Sequence, residues 1–176
     1  MTRISRHLVC GCLSLFLPLL AMASGNSLLV PATRHCQLGM APAHRLEALR
    51  HCQMEAGQGN LQAAYELGEY FYQGQYSPRD LKKALYWFEQ ASARGHAAAQ
   101  HQLGLMYFRG EGVRPNTIQA YIVLKMAAVN GEEEALDTAD LVAAQMRPEE
   151  LEGARQVLGR IFHDYLDGLQ AADLGP

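Results

Sequence analysis

Cys36 and Cys52 are the residues of this sequence with the clearest chemistry. Each closes the same tripeptide, Arg-His-Cys, and 16 positions separate them. In an oxidising compartment two thiols at this spacing form a disulfide, whereas two His-Cys pairs could supply the four ligands of a zinc site. Adjacent ligands point in different directions, and zinc clips use spacings of two to four. We therefore expect a disulfide and no metal site. A metal site and free or intermolecular thiols remain as alternatives.

The sequence opens with the features of a secretory signal peptide. Arg3 and Arg6 precede an apolar run at residues 8–20, and the small residues at 21 and 23 fit a cleavage site. The run is shorter than the roughly 20 residues that span a bilayer. We expect cleavage after residue 23, export of the remaining chain, and no membrane span thereafter. A retained membrane anchor is the alternative.

Motifs of catalysis and nucleic-acid binding are missing from the sequence. It contains no phosphate-binding glycine loop, no His-Glu-x-x-His, no Gly-x-Ser-x-Gly and no Ser-x-x-Lys. Signal cleavage would leave 13 basic and 18 acidic residues and a net charge of −5. Binding to a phosphate backbone requires the opposite charge. We expect a protein without enzyme activity, cofactor or nucleic-acid partner.

Two polar features have structural explanations that we favour over functional ones. The acidic run at residues 132–134 suggests a calcium or partner site. At the start of a helix, however, carboxylates complement the positive end of the helix dipole. His96 is expected to be a helix-entry residue at a junction between repeat units, and it does not share a helix face with His101.

The rest of the chain repeats itself at an offset of 36 residues. Gly59-Asn60, Gly95-His96 and Gly131-Glu132 mark the period. Each unit has apolar residues at three- and four-residue spacing in two stretches, which predicts two amphipathic helices. Gly74 and Gly110 end the first helix of each unit. Asp80 and Asn116 are the predicted N-caps of the second helices.

Glycines inside the predicted helices indicate close helix packing. Gly68 and Gly104 each lie in the middle of a first helix, where glycine costs about 1 kcal/mol relative to alanine. We expect tight helix crossings at both positions. Leu103 is predicted to be buried where helices of adjacent units meet. Phe88 belongs to the apolar stripe of the second helix in the first unit.

These signals divide the sequence into seven segments. The helix-rich part begins with half a unit and ends with a degenerate unit, as expected where a repeat stack is covered at its end. The predicted segments are a signal peptide at 1–23, an extended segment at 24–42, a half-repeat helix at 43–59, repeats at 60–95 and 96–131, a capping repeat at 132–168 and a tail at 169–176.

Motifs in both units resemble the Sel1-like repeat family, a relative of the tetratricopeptide repeats. In the second unit they are Ala97-Ala-Ala-Gln100, Leu103-Gly104, Tyr107, Gly110, Val113, Asn116 and Ala120. In the first unit they are Leu67-Gly68, Tyr70-Phe71-Tyr72, Gly74, Asp80, Ala84 and Trp87-Phe88. The resemblance implies an all-α fold, a right-handed α-solenoid of helix-turn-helix repeats. It also implies a protein-binding scaffold.

Subtracting the predicted core from the first helix of each unit leaves a surface that we call the first-helix strip. In helix-pair solenoids the first helices line the inner curve. The strip consists of Tyr65, Glu66, Glu69, Gln73, His101, Gln102, Leu105 and Arg109. Mixed surfaces of this kind bind a peptide or a folded protein, and ordinary solvated surface is the alternative. We expect Tyr65 and His101 to be exposed and one unit apart, so that replacing both by alanine abolishes binding but leaves stability unchanged.

The expected function is a non-catalytic scaffold or adaptor that binds another protein. Together with the signal peptide, the resemblance implies a location in the bacterial cell envelope, with the protein periplasmic or secreted. One alternative is a structural component of an envelope machine, such as a flagellar motor or an exopolysaccharide secretion complex. A second alternative is an enzyme of cell-wall or β-lactam chemistry, which the absence of Ser-x-x-Lys disfavours.

Overall fold

The computed structural model describes residues 36–39 and 41–173, with side chains to residue 168. The predicted signal peptide lies outside the described residues. The described residues form seven α-helices and no strand: α1 Pro42–Gly57, α2 Leu61–Gln73, α3 Leu81–Ser92, α4 Ala97–Arg109, α5 Thr117–Val129, α6 Glu134–Ala143 and α7 Pro148–Asp173. No helix in this part of the chain is both long and apolar enough to cross a membrane.

Side-chain caps explain where the helices of the first two units begin. Asn60, Asp80, His96 and Asn116 each accept a hydrogen bond from the backbone N–H three residues later. Such a bond satisfies one of the donors that a helix leaves unpaired at its start. The caps predicted at Asp80 and Asn116 are therefore confirmed.

Glycines end α2 and α4 because the chain turns there in the left-handed conformation. Gly74 has φ 66° and Gly110 has φ 73°, values that cost glycine little and other residues more. The following loops return the chain to the next N-cap: the N–H of Asp80 donates to the carbonyl of Phe71, and the N–H of Asn116 donates to that of Tyr107. Each unit is thus a helix-turn-helix pair.

Gly68 and Gly104 lie at the tight crossings that the sequence predicts. A Cβ at Gly68 would lie 2.5 Å from ring atoms of Phe88, and one at Gly104 would lie 2.6 Å from Cγ of Leu124. Phe88 and Leu124 are fully buried and occupy the same position of the repeat. Because glycine has no side chain, a residue of the second helix fills the space beside it in each unit.

The core follows the order of the helices. One buried cluster joins α1, α2, α3 and α4, and its largest fully buried side chains are Leu67, Phe88 and Met106. A second cluster joins α5, α6 and α7 around Leu124 and Val142. Consecutive helices from α1 to α6 pack against each other, and α7 packs back against α5. Helices stacked in sequence order are characteristic of a repeat solenoid.

A disulfide holds the segment before α1 against the first helices. Cys36 and Cys52 are bonded, with their Cα atoms 5.0 Å apart, and both are buried. The N–H of Cys36 donates to Oε2 of Glu66 on α2 at 2.9 Å. The bond and the hydrogen bond together anchor residue 36 to both α1 and α2.

The last unit departs from the predicted helix limits. The sequence pattern predicts helices over residues 133–145 and 148–166, whereas α6 covers only Glu134–Ala143 and α7 continues to Asp173. The long α7 carries Tyr165 and Leu166 exposed on its surface.

Candidate functional site

Tyr65 lies at the junction between the first two units. It is half-buried, whereas the sequence pattern predicts that it is exposed. Its ring stacks on that of His96, with centroids 4.8 Å apart and planes 18° apart. The Phe88 ring lies 5.9 Å away. Burial, followed by the charges of Glu69, Glu132 and Glu66, raises the pKa of Tyr65 to about 12. Because its ring packs on the start of the next unit, we now expect Tyr65→Ala to lower stability.

The imidazole of His96 bridges α2 and α4. Its Nδ1 accepts from the N–H of Ala99 at 3.2 Å and so caps α4. Nε2 therefore carries the proton and donates to the side-chain oxygen of Gln62 at 3.1 Å. Burial lowers the pKa of His96, because the charged imidazolium is poorly solvated there. His96 is thus the helix-entry residue that the sequence predicts, with a second contact that the sequence does not show.

The glutamates of the first unit have different environments. Glu66 accepts from the N–H of Cys36 and, at 3.1 Å, from the side chain of Gln62. Glu69 accepts from the side-chain nitrogen of Gln73 through Oε2. Its buried Oε1 has no hydrogen-bond partner among the described residues. Burial raises the pKa of Glu69.

The second unit presents its strip residues toward the third unit. Nε2 of His101 lies 3.3 Å from Oγ1 of Thr138 on α6. The Thr138 hydroxyl donates to the carbonyl of Glu134 at 3.0 Å, so its oxygen can accept from His101. Gln102 and Leu105 are half-buried, and Arg109 is exposed at the end of α4. The strip therefore continues onto α6.

Glu132 and Glu134 adjoin the strip, although the sequence analysis assigned them only to a helix start. One ligand atom each from His101, Glu132 and Glu134 all lie within 4.8 Å of one another. These side-chain types bind divalent cations, whereas the sequence analysis predicted no metal site. Extending the 36-residue offset once more, from residue 98 to 134 and from 102 to 138, would have added α6 to the strip.

Gln100 is a structural residue that the sequence analysis missed. Its side chain is 1% exposed, donates to the carbonyl of Ser92 at 3.1 Å and accepts from Asn130 at 2.8 Å. Both oxygen and nitrogen of the buried amide are therefore satisfied. The contacts join the ends of α3 and α5 to the first turn of α4.

A cleft of about 550 Å³ lies away from the strip, at the loop between α2 and α3. It is lined by Phe71, Ser77, Pro78, Arg79, Asp80, Leu81, Lys82, Lys83 and Gly112. The Ser77 hydroxyl donates to the carbonyl of Pro78 and the Asp80 carboxylate caps α3. These groups have structural partners and do not form a nucleophile–base pair.

Comparison with known proteins places the two full units in one family of repeats. The model of the Sel1 repeat matches residues 61–96 and 97–131. The chain is 24% identical over 119 residues to the alginate biosynthesis protein AlgK of Pseudomonas syringae, covering 68% of this chain and 25% of AlgK. It is 29% identical over 89 residues to chitin synthase regulatory factor 2 of Schizosaccharomyces pombe, covering 50% of this chain and 17% of that protein. The chain spans a quarter or less of the length of these relatives.

A solved structure shows the same fold. The chain superimposes on c5321, a protective antigen of uropathogenic Escherichia coli with an SLR fold, with a TM-score of 0.63 and 24% identity. The match covers 72% of this chain and 27% of that one. The predicted fold class, an all-α solenoid of helix pairs, is confirmed, and residues 61–131 of this chain are two tandem repeats of the Sel1 family.

Proposed function

We propose that the protein is an exported, non-catalytic scaffold that binds another protein of the bacterial cell envelope through the first-helix strip. Sel1 repeats are typically scaffolds for protein interaction. One observation carries the proposal: the strip continues across three units, because Tyr65 contacts His96 and His101 contacts Thr138. A repeat surface of this length suits an extended or folded protein partner. Export is supported by the signal-peptide features of residues 1–23.

A second candidate is a structural component of an exopolysaccharide secretion complex. The similarity to AlgK, an alginate biosynthesis protein, favours this candidate over a flagellar motor part. In a fixed assembly the protein would co-purify with its partners after crosslinking in constant ratio. A transient adaptor would be recovered in variable, substoichiometric amounts.

Cell-wall enzymology is the third candidate and is tested separately. A labelled β-lactam acylates enzymes that carry an activated serine in a Ser-x-x-Lys motif, which this sequence lacks. We expect no label on the purified protein. Stoichiometric labelling would contradict the scaffold proposal.

Leu105→Arg is the variant that tests the strip. Leu105 is half-buried on α4, so an arginine there extends over the strip and blocks a docked partner. Gln90→Arg, at an exposed position of α3, adds the same charge elsewhere. We expect Leu105→Arg to lose the envelope protein that the wild type captures after crosslinking, and Gln90→Arg to retain it. Retention by both variants, with melting unchanged, would contradict binding at the strip.

A further inference from the structure

The apolar stripe of α7 continues beyond the part of the helix that packs against the fold. Ala154 is fully buried and Leu158 is 6% exposed, and Phe162 is half-buried against the second cluster. Tyr165 and Leu166 follow Phe162 at helical spacing, yet they are 64% and 56% exposed. The stripe that is covered in the first half of α7 is therefore uncovered near its end.

The sequence of this part of α7 has the same pattern in both directions. Residues 158–163 are Leu-Gly-Arg-Ile-Phe-His, and residues 164–169, read backwards from 169, are Leu-Gly-Asp-Leu-Tyr-Asp. Apolar residues and glycines thus have one of the same kind at the mirrored position, whereas Arg160 and His163 each have an aspartate there. Two helices with this pattern match when they run antiparallel, related by a two-fold axis between residues 163 and 164. We call residues 159–168 the α7 end segment.

The mirrored aromatic residues would form the centre of such a pair. Phe162 and Tyr165 lie three positions apart on the stripe, so Phe162 of one helix faces Tyr165 of the second copy, and the reverse contact follows from the symmetry. Aromatic rings bury a large apolar area. Covering the exposed parts of these rings is therefore the main apolar gain of the pairing.

Two glycines leave room for the bulky residues beside this centre. Leu166 and Gly159 lie seven positions apart on one side of the stripe, and Ile161 and Gly168 lie seven apart on the other side. In the antiparallel pair, each leucine or isoleucine meets a glycine of the second copy. Within the described part of the chain, a Cβ built at either glycine has no neighbour within 4 Å from another helix. The space beside both glycines is thus open to a second copy.

The charged residues of the segment lie away from the stripe and favour the antiparallel direction. Arg160, His163, Asp164 and Asp167 are exposed, and Nδ1 of His163 lies 3.0 Å from Oδ2 of Asp167. In an antiparallel pair, Arg160 lies at the height of Asp167 of the second copy, and His163 lies at the height of Asp164. A parallel pair would instead align each charge with its own copy, which is unfavourable because like charges repel.

We propose that the α7 end segments of two copies of this chain pair antiparallel and join them into a two-fold symmetric dimer. A second copy supplies the mirrored aromatic residues, glycines and charges together, which a helix of unrelated sequence does not. The pairing of residues 159–168 extends over about 15 Å of each helix. An interface of this length is at the lower end of the range for specific complexes, so the dimer dissociates on dilution. The proposal does not depend on the first-helix strip.

Analytical ultracentrifugation of the purified protein tests whether the dimer forms. The average mass should rise from one chain to two as the protein concentration increases to about 0.5 mM, where even a weak specific complex is populated. A mass that stays at one chain over the whole range would overturn the proposal.

Leu166→Glu and Leu46→Glu are matched variants that test the surface. Leu166 is 56% exposed on α7 and Leu46 is 59% exposed on α1, so neither change should alter the melting temperature. Leu166→Glu should raise the dissociation constant of the dimer at least about tenfold, because it places a carboxylate in the contact. Leu46→Glu should change it less than about twofold. Equal effects would overturn the proposal. If Leu166→Glu loses helical signal, the exposed variant Tyr165→Ser replaces it.

The direction of the pairing is measured by electron spin resonance. A spin-labelled amino acid is introduced in place of Glu152 or of Asp164, both exposed on α7. In the antiparallel dimer the two labels at position 152 should be about 35 Å apart and those at position 164 less than about 20 Å apart. Short distances at both positions would indicate a parallel pair, and long distances at both would indicate a different interface. Either result would overturn the proposal.

Discussion

At the scale of single residues, two glycines allow the helices of each repeat to pack closely, because glycine has no side chain. Gly68 and Gly104 occupy equivalent positions, and each faces a buried side chain of the second helix in its own unit. The sequence predicts these crossings because the cost of glycine in a helix needs a compensating contact. The facing residues, Phe88 and Leu124, are known only from the structure, and they lie one repeat apart.

Gly68→Ala should destabilise the protein by about 1–3 kcal/mol, because the new methyl group would overlap the Phe88 ring. Gly153→Ala on α7 is the matched control, since a Cβ there meets no atom within 4 Å. This substitution should stabilise by about 0.5–1 kcal/mol. Urea unfolding measures both changes. A Gly68→Ala protein as stable as the control would mean that α2 and α3 are further apart than described.

His96 should make stability depend on pH. Burial lowers its folded pKa below the unfolded value of about 6.5, so folding favours the neutral ring. Its contribution is complete above about pH 6.5 and is lost as the pH falls toward the folded pKa. His96→Asn retains a capping side chain, as Asn60 shows at the equivalent position, and does not titrate. Between about pH 7.5 and about pH 5.5 the wild type should lose more unfolding free energy than the variant. Parallel pH profiles would rule out this role.

The sequence alone predicts the contacts of some residues and not those of others. The caps at Asp80 and Asn116 depend on atoms within three positions, so a local pattern predicts them. Tyr65 was misplaced because its stacking on His96 depends on the angle between two units, which no repeat pattern contains. The partnership of His101 with Glu132 and Glu134 was missed for a related reason: the third unit diverges from the first two.

At the scale of helices, α4 packs between α3 and α5. Leu103 is 4% exposed and belongs to the cluster that joins α4 to α2 and α3. Leu103→Ala should lower the free energy of unfolding by about 2–5 kcal/mol, as truncation of a buried leucine does. Leu136→Ala, at an exposed position of α6, is the control and should change it by less than about 0.5 kcal/mol. Chemical denaturation with helical circular dichroism compares them. Equal effects would show that the assigned face of α4 is wrong.

The segment before α1 depends on one covalent bond. The Cys36–Cys52 disulfide closes a 16-residue separation, for which a chain-entropy model gives about 3 kcal/mol. Reductant should lower the unfolding free energy of the wild type by about that amount and leave a Cys36→Ala, Cys52→Ala variant unaffected. Thiol labelling of the protein in denaturant, without reductant, should find no free thiol at Cys36 or Cys52. Labels at both of these positions would exclude the bond.

In the whole molecule, the residues that specify the fold lie on the packed faces of the helices, and the surface that we propose for binding lies beside them. The packed faces of α2 and α4 carry the small and apolar residues of the repeat, which is why the sequence predicts the fold. The first-helix strip adjoins these faces and includes Tyr65, which also stacks on His96 of the next unit. One group of side chains comes together only after the units are stacked: ligand atoms of His101, Glu132 and Glu134 lie within 4.8 Å of one another.

The central claim is that the first-helix strip is the binding surface, and site-specific photo-crosslinking in the producing cell tests it most directly. A photoreactive residue at Leu105 should crosslink one envelope protein in high yield. The same residue at Tyr86, 52% exposed on α3, should give only background. A crosslink that forms from Tyr86 and not from Leu105, in a chain with an unchanged melting temperature, would contradict the claim and assign binding to another surface.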